Sequence, residues 1–302
     1  MNPEVLHGLN ILPQDEQDVL VGQVLNLPDP KTIPDFEMFN PFATAHVQEA
    51  DDCSGFAVGG LIELENPGIE VDRELQFALS KLKTGDPQAI GQDLRQALLT
   101  PVKYGAGLLK DRPISCIGQP LTFLRYISNW GDLSVILERN KNLLSQGVAF
   151  IQPAQGLDGF DTILSTMWYW FDHDPDQNRG VAFGCYWNWP LAQSTMDVFA
   201  PTGSGHAMYY MGKKTINGEP HLIVQQNYGP NVGDVAVQGG VHYFSRDVVN
   251  KNLPIFGAGM LVPYSHDELK ALIASGYKIN PVSGVGSFFD GLIAAVKQFL
   301  HI

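Results

Sequence analysis

The sequence predicts an α+β protein of two lobes, with helices in the N-terminal half and antiparallel strands in the C-terminal half. Apolar residues recur at a spacing of about 3.6 over residues 70–83 and 88–99, as they do in amphipathic helices, and helical patterns recur around 119–127, 131–146 and 160–171. Farther along the chain, Asn217-Gly218 separates two short apolar runs, which is a strong signal for a β-hairpin. Helices that precede the strands, and do not alternate with them, favour the α+β class.

The composition of the 302 residues is that of a globular protein, with 44% hydrophobic and 17% charged residues. The formal net charge is -13, and no basic stripe of the kind that binds nucleic acid is visible. The first 20 residues lack the basic and apolar segments of a signal peptide, and no apolar run approaches the roughly 20 residues of a membrane span. We therefore expect no nucleic-acid partner, no membrane partner, and a cytoplasmic or particle-associated location.

The N-terminal half begins with a proline-rich segment and then becomes helical. We predict an extended lead-in over residues 1–27, with one short strand from Val19 to Leu27. The first helix is predicted over residues 53–65, where Pro67 ends it.

The C-terminal half combines apolar runs with two signals for helices near its end. Ser265 and Glu268 match the capping box that begins a helix, and Gly276 is typical of a helix end. An apolar face from residue 285 to residue 300 predicts a further helix. Strands are predicted over residues 181–187, 206–211, 221–225, 241–244 and 257–262.

Cys53 opens the predicted helix 53–65, and Gln48 precedes it by five residues. A thiolate is a strong nucleophile, and the N-terminus of a helix lowers the pKa of a thiol. A side-chain amide just upstream is a suitable donor for an oxyanion hole. The segment therefore predicts a catalytic cysteine.

His206 and Asn227 complete this pattern. His206 begins one strand of the predicted hairpin after a glycine-rich loop, and Asn227 follows the returning strand. If the two strands pair, both side chains lie at the same end of the hairpin. A cysteine, a histidine that takes its proton and a third group that orients the imidazole form the triad of covalent catalysis.

On these residues the chain resembles the papain-like cysteine peptidases. In that family the catalytic cysteine is followed by phenylalanine at +3 and glutamate at +10, and a His-Ala pair and an asparagine follow in that order. The matching residues here are Gln48, Cys53, Phe56, Glu63, His206, Ala207, Asn227, Tyr228 and Gly229. The resemblance implies a papain-like fold with a cleft between the lobes. It implies a peptidase domain over residues 28–265, between the lead-in 1–27 and a C-terminal helical extension over 266–302.

The resemblance also implies a mechanism without a cofactor or a metal ion. Cys53 would attack the carbonyl of a peptide or protein substrate, and His206 would protonate the leaving amine. Asn227 would orient the imidazole. The side-chain amide of Gln48 and the backbone N–H of Cys53 would hold the oxyanion.

The sequence departs from the family pattern close to Cys53. Ala50 stands in place of an upstream cysteine, so the usual first disulfide cannot form, and the interval from Gln48 to Cys53 is one residue shorter than in papain. The carboxylates of Asp51 and Asp52 either raise the pKa of the thiol or, in one case, cap the helix.

A second hypothesis is a structural component of a large assembly, such as a phage virion, built on a peptidase-like scaffold with a silent site. The C-terminal helices would then contact other subunits. A third hypothesis keeps the triad but transfers acyl groups to amines. Cys116 and Cys185 are interpreted as core residues, and the four tryptophans at 168, 170, 187 and 189 as packing between the lobes or as lining of the cleft.

Overall fold

The computed structural model describes most of the chain, and all structural statements refer to the described residues. These are residues 15, 18–43, 47–48, 52–84, 92–112, 133–141, 146–173, 178–187, 199, 201, 204–228 and 240–279. Several predicted features lie outside them, namely Ala50, Asp51, Cys116, Trp189, Gly229 and the helix expected after residue 285.

Eight α-helices and seven strands are present in the described part of the chain. The helices are α1 (Val21–Val24), α2 (Cys53–Glu65), α3 (Arg73–Thr84), α4 (Leu94–Tyr104), α5 (Leu133–Lys141), α6 (Gly159–His173), α7 (Arg246–Phe256) and α8 (His266–Ser275). The strands are β1 (Phe36–Glu37), β2 (Gly147–Phe150), β3 (Val181–Trp187), β4 (Ser204–Ile216), β5 (Glu219–Gln225), β6 (Val241–Ser245) and β7 (Ala258–Val262). Helices dominate the first half and strands the second, which confirms the predicted α+β class.

The strands form one antiparallel sheet in the order β2-β7-β3-β4-β5-β6, and β1 pairs with β4. The predicted hairpin is the connection between β4 and β5. Asn217 and Gly218 both have positive φ angles, 53° and 85°. A two-residue turn of this kind matches the right-handed twist of the strands that it joins, and this explains why Asn-Gly occurs here.

Helix α2 is the centre of the packing, since each of its residues is buried. A helix buried on all sides must let its neighbours approach closely, and glycines make this possible. A Cβ atom at Gly59 would lie 2.6 Å from Cγ of Arg73 on α3, and one at Gly60 would overlap the ring of Tyr209 on β4. The glycines therefore seat α2 between helix α3 and strand β4.

A buried polar network lies on the same helix. Glu63 of α2 forms an ion pair with Arg73, and the side chains are 0% and 1% exposed. Asn40 Nδ2 donates to Glu63 Oε2 at 3.2 Å and to the Tyr209 hydroxyl at 3.0 Å, while the backbone N–H of Val71 donates to Glu63 Oε1 at 3.0 Å. Buried charges are tolerated when they are paired and hydrogen-bonded in this way. The network therefore ties α2 to α3 and to β4.

The predicted strand from Val19 to Leu27 is wrong. Its middle forms the single helical turn α1, and the side chain of Gln23 accepts a 3.1 Å hydrogen bond from the backbone N–H of Leu20. Only isolated bridges flank this turn, Leu20 with Phe150 and Leu25 with Ile279. Residues 18–25 thus lie beside the β2 edge of the sheet and against the chain that follows α8.

Three further elements escaped prediction, namely the short strands β1 and β2 and helix α7. Pro254 lies inside α7, where a proline normally signals the end of a helix. The helix is held by tertiary contacts instead, including Asn252 Oδ1, which accepts from the backbone N–H of Tyr186 at 2.9 Å. Helix α8 agrees with its prediction, with the Ser265–Glu268 capping box and Gly276 in the left-handed conformation.

The fold depends on close approach at Gly60, so Gly60→Ala should destabilise the protein. A methyl group would gain helix propensity of about 1 kcal/mol, but overpacking against Tyr209 should outweigh this gain, for a net loss of about 2 kcal/mol in the free energy of unfolding. Gly68→Ala is the matched control, because nothing lies within 4 Å of a Cβ atom there. Urea unfolding of both variants measures the effect, and equal stability of the two would contradict the packing described for α2.

Candidate active site

Cys53 is the first residue of α2 and is 0% exposed. Its backbone N–H belongs to the first turn, whose N–H groups do not bond within the helix. The helix dipole at this end favours negative charge. Asp52 occupies the N-cap position, but its carboxylate makes no capping hydrogen bond to the helix. The dipole of α2 therefore favours negative charge at Cys53, whereas the burial of its side chain opposes it.

His206 lies on β4, directly opposite Cys185 of β3. Burial, together with the nearby charge of His242, lowers the pKa of His206 from its ordinary value of 6.5 to about 3. The imidazole is therefore neutral at physiological pH in this structure. Burial raises the pKa of the Cys185 thiol, and the negative charge of Cys53 adds to this effect. Cys185 is thus a buried residue, as interpreted, and it lies within electrostatic range of Cys53.

Asn227 follows β5 and is 0% exposed. The side-chain Nδ2 of Asn227 donates to the backbone carbonyl oxygen of Ala207 at 3.0 Å. The backbone carbonyl oxygen of Asn227 accepts from the backbone N–H of Gln48 at 2.7 Å. Gln48 and Asn227, together with His206 next to Ala207, are therefore brought to one place in the fold.

The side chains of His206 and Asn227 do not bond to each other in this structure. His206 Nε2 and Asn227 Oδ1 are both buried, and neither has a hydrogen-bond partner among the described residues. Buried polar atoms without a partner are rare and often occur at functional sites.

The ring contacts of His206 are instead aromatic. The ring centroid of Trp187 lies 4.4 Å from that of His206, and Tyr228 stacks on the imidazole at 5.0 Å with an interplanar angle of 16°. His242 meets Trp187 edge-on at 5.9 Å. No sequence motif marks Trp187 or His242 as a neighbour of His206, because their proximity follows from the order of strands in the sheet.

The site is closed to solvent. Cys53, Gln48, His206 and Asn227 are each at most 2% exposed. The thiol of Cys53 therefore has no exposed surface in this structure.

No group of three or more histidine, cysteine, aspartate or glutamate side chains in the described part of the chain is placed to hold a metal ion. No helix among the described residues is both long enough and apolar enough to cross a membrane.

No protein-family model matches the sequence, and no curated protein matches it. Solved structures do match. Xylellain, a cysteine protease from Xylella fastidiosa, is 14% identical, with a TM-score of 0.61 over 86% of this chain and 97% of its own. Digestive procathepsin L2 proteinase from Tenebrio molitor is 16% identical, with a TM-score of 0.53 over 86% of this chain and 80% of its own. Procathepsin B S9 from Trypanosoma congolense is 14% identical, with a TM-score of 0.53 over 86% and 84%.

Identities this low show a common fold and leave activity to be tested. The matched structures are proteases, so they give no support to the hypothesis of a particle component. They agree with the sequence resemblance found independently around Cys53, His206 and Asn227. The chain has the papain-like fold.

Proposed function

We propose that the protein is a cysteine peptidase that hydrolyses peptide bonds, with Cys53 as its nucleophile. The observation that carries the proposal is the meeting of Gln48, His206 and Asn227, which are far apart in the sequence. They match the family pattern in type and order, and the fold is papain-like. Residues that only pack a core are usually apolar, so packing alone does not explain these three buried polar side chains.

The first step is proton transfer from the thiol of Cys53 to the neutral imidazole of His206. His206 is the base that accepts this proton, and the burial that lowers its pKa makes the transfer more costly while the site is closed. The thiolate then attacks the peptide carbonyl carbon, and a carbon–sulfur bond forms while the carbonyl electron pair moves to oxygen.

The oxyanion requires donors that point at it before it forms. The side-chain amide of Gln48 and the backbone N–H of Cys53 are assigned this role. Gln48 is supported by its backbone bond to Asn227, and Cys53 by its position at the start of α2.

The imidazolium of His206 next protonates the leaving amine, and the carbon–nitrogen bond breaks. Water, deprotonated by the imidazole, attacks the thioester and releases the acid together with the Cys53 thiol. Asn227 Oδ1 is a buried acceptor, and a hydrogen bond to it from His206 Nε2 would stabilise the imidazolium during these steps.

Replacement of the nucleophile is the most direct test of this chemistry. Cys53→Ala should lower kcat on a fluorogenic peptide by at least about 10⁴-fold, because the thioester can no longer form. It should also abolish labelling by a peptidyl aldehyde or chloromethyl ketone, as measured by mass spectrometry.

Cys185→Ala is the control, since it removes an equally buried thiol and leaves the nucleophile in place. Its labelling stoichiometry should equal that of the unmodified chain. Undiminished turnover in Cys53→Ala would refute the proposed function.

The lowered pKa of His206 also predicts a dependence of stability on pH. Between about pH 3 and 6.5 the unfolded chain binds a proton at this residue and the folded chain does not. The free energy of unfolding should therefore fall as the pH falls through this window, by up to about 1.4 kcal/mol per pH unit from this group.

Urea unfolding at several pH values measures this slope. His206→Gln should show a shallower decrease than the unmodified chain on going from about pH 6.5 to pH 4, since glutamine binds no proton. Identical slopes would mean that His206 titrates normally in the folded protein.

A further inference from the structure

We propose that Trp187 is a positioning residue for His206, and that its ring, more than the amide of Asn227, holds the imidazole in the orientation needed for catalysis. The proposal rests on the proposed function, in which His206 exchanges protons with Cys53 and with the leaving amine.

The strand register directs Trp187 towards the imidazole. Cys185 lies opposite His206, and Trp187 lies two residues farther along β3, opposite Ser204. Side chains two residues apart on a strand project from the same face, as do the members of a cross-strand pair. Trp187 is therefore the diagonal neighbour of His206 on one face of the sheet.

The ring contacts fix the imidazole from more than one direction. Trp187 lies 4.4 Å from the imidazole at 53°, and Tyr228 lies 5.0 Å from it at 16°. The rings of Trp187 and Tyr228 are themselves 5.2 Å apart. Each of the three rings thus contacts the other two, so the imidazole cannot rotate without displacing an indole or a phenol.

Trp187 in turn contacts a further ring, that of His242. His242 of β6 meets the indole at 80°, and Trp187, His242 and Tyr228 are all buried. The indole is therefore part of a packed cluster that draws on β3, β4, β6 and the chain after β5. Rigid packing of this kind holds a catalytic group in one geometry.

The amide of Asn227 does not perform this task in the closed site. Its Nδ2 is bonded to the Ala207 carbonyl, and no hydrogen bond joins its Oδ1 to His206 Nε2. Among the contacts of the described residues, those that set the plane of the imidazole are aromatic. Misplacement of a catalytic group by about 1 Å can cost on the order of 100-fold in rate.

The experiment compares Trp187→Leu, which removes the ring, with Trp187→Phe, which keeps one. With a fluorogenic peptide, we expect Trp187→Leu to lower kcat by roughly 100-fold while KM stays within about threefold. Trp187→Phe should retain kcat within about fivefold, and Asn227→Ala should lose less than Trp187→Leu.

Trp170→Leu controls for the general cost of losing a buried tryptophan. Trp170 packs against Tyr264 and the guanidinium of Arg179, away from the imidazole. Thermal unfolding of each variant shows whether it folds. If Trp187→Leu does not fold, Trp187→Met takes its place, because methionine fills the space without a ring.

A second measurement does not depend on catalytic activity. In ¹⁵N spectra of the His206 side chain, we expect one tautomer in the unmodified chain and in Trp187→Phe, and averaging of the two in Trp187→Leu. An inactive wild-type chain would refute the proposed function, and these spectra would still test Trp187. The proposal is overturned if Trp187→Leu keeps a single tautomer, if Trp170→Leu loses as much kcat, or if Asn227→Ala alone produces the averaging.

Discussion

The close packing of helix α2 against strand β4 is the contact on which the rest of the structure depends. Gly60 lets the backbone of α2 approach the ring of Tyr209, and the buried pair of Glu63 and Arg73 is bonded through Asn40 to the same tyrosine. Cys53 begins α2, and His206 lies three residues before Tyr209 on β4. The contact that builds the core therefore also sets the relation between thiol and imidazole. Loss of one partner from such a buried pair typically costs about 3–5 kcal/mol, so this relation is firmly held.

The register of the hairpin supplies the second constraint. Tyr209 pairs with Gln225, so the chain that continues past β5 comes level with Ala207 two residues later. There the side chain of Asn227 bonds the Ala207 carbonyl, and the Asn227 carbonyl in turn receives the N–H of Gln48. The turn at Asn217 and Gly218 and the bulge between Tyr210 and Gly212 together set this register, which brings Asn227 level with Ala207.

Local signals explain what could be predicted from the sequence. The buried helix at Cys53, the Asn-Gly turn and the Ser265 capping box each depend on a few adjacent residues, and the structure agrees with all three. The ring cluster around His206 and the neutral state of its imidazole depend on strand order and on burial by remote residues, which local patterns do not contain. Val19 to Leu27 has the composition of a strand, but the local bond from Leu20 to Gln23 and the single bridges around it produce a helical turn instead.

A crystal structure of the protein after reaction with a peptidyl aldehyde would test the assignment of Cys53 as nucleophile most directly. We expect a covalent bond from Cys53 Sγ to the aldehyde carbon, with the resulting oxygen facing the Gln48 amide and the backbone N–H at the start of α2. The imidazole of His206 should lie beside the sulfur, still in contact with Trp187. An adduct on another residue, or an unmodified Cys53 in crystals exposed to the inhibitor, would contradict the assignment of this site.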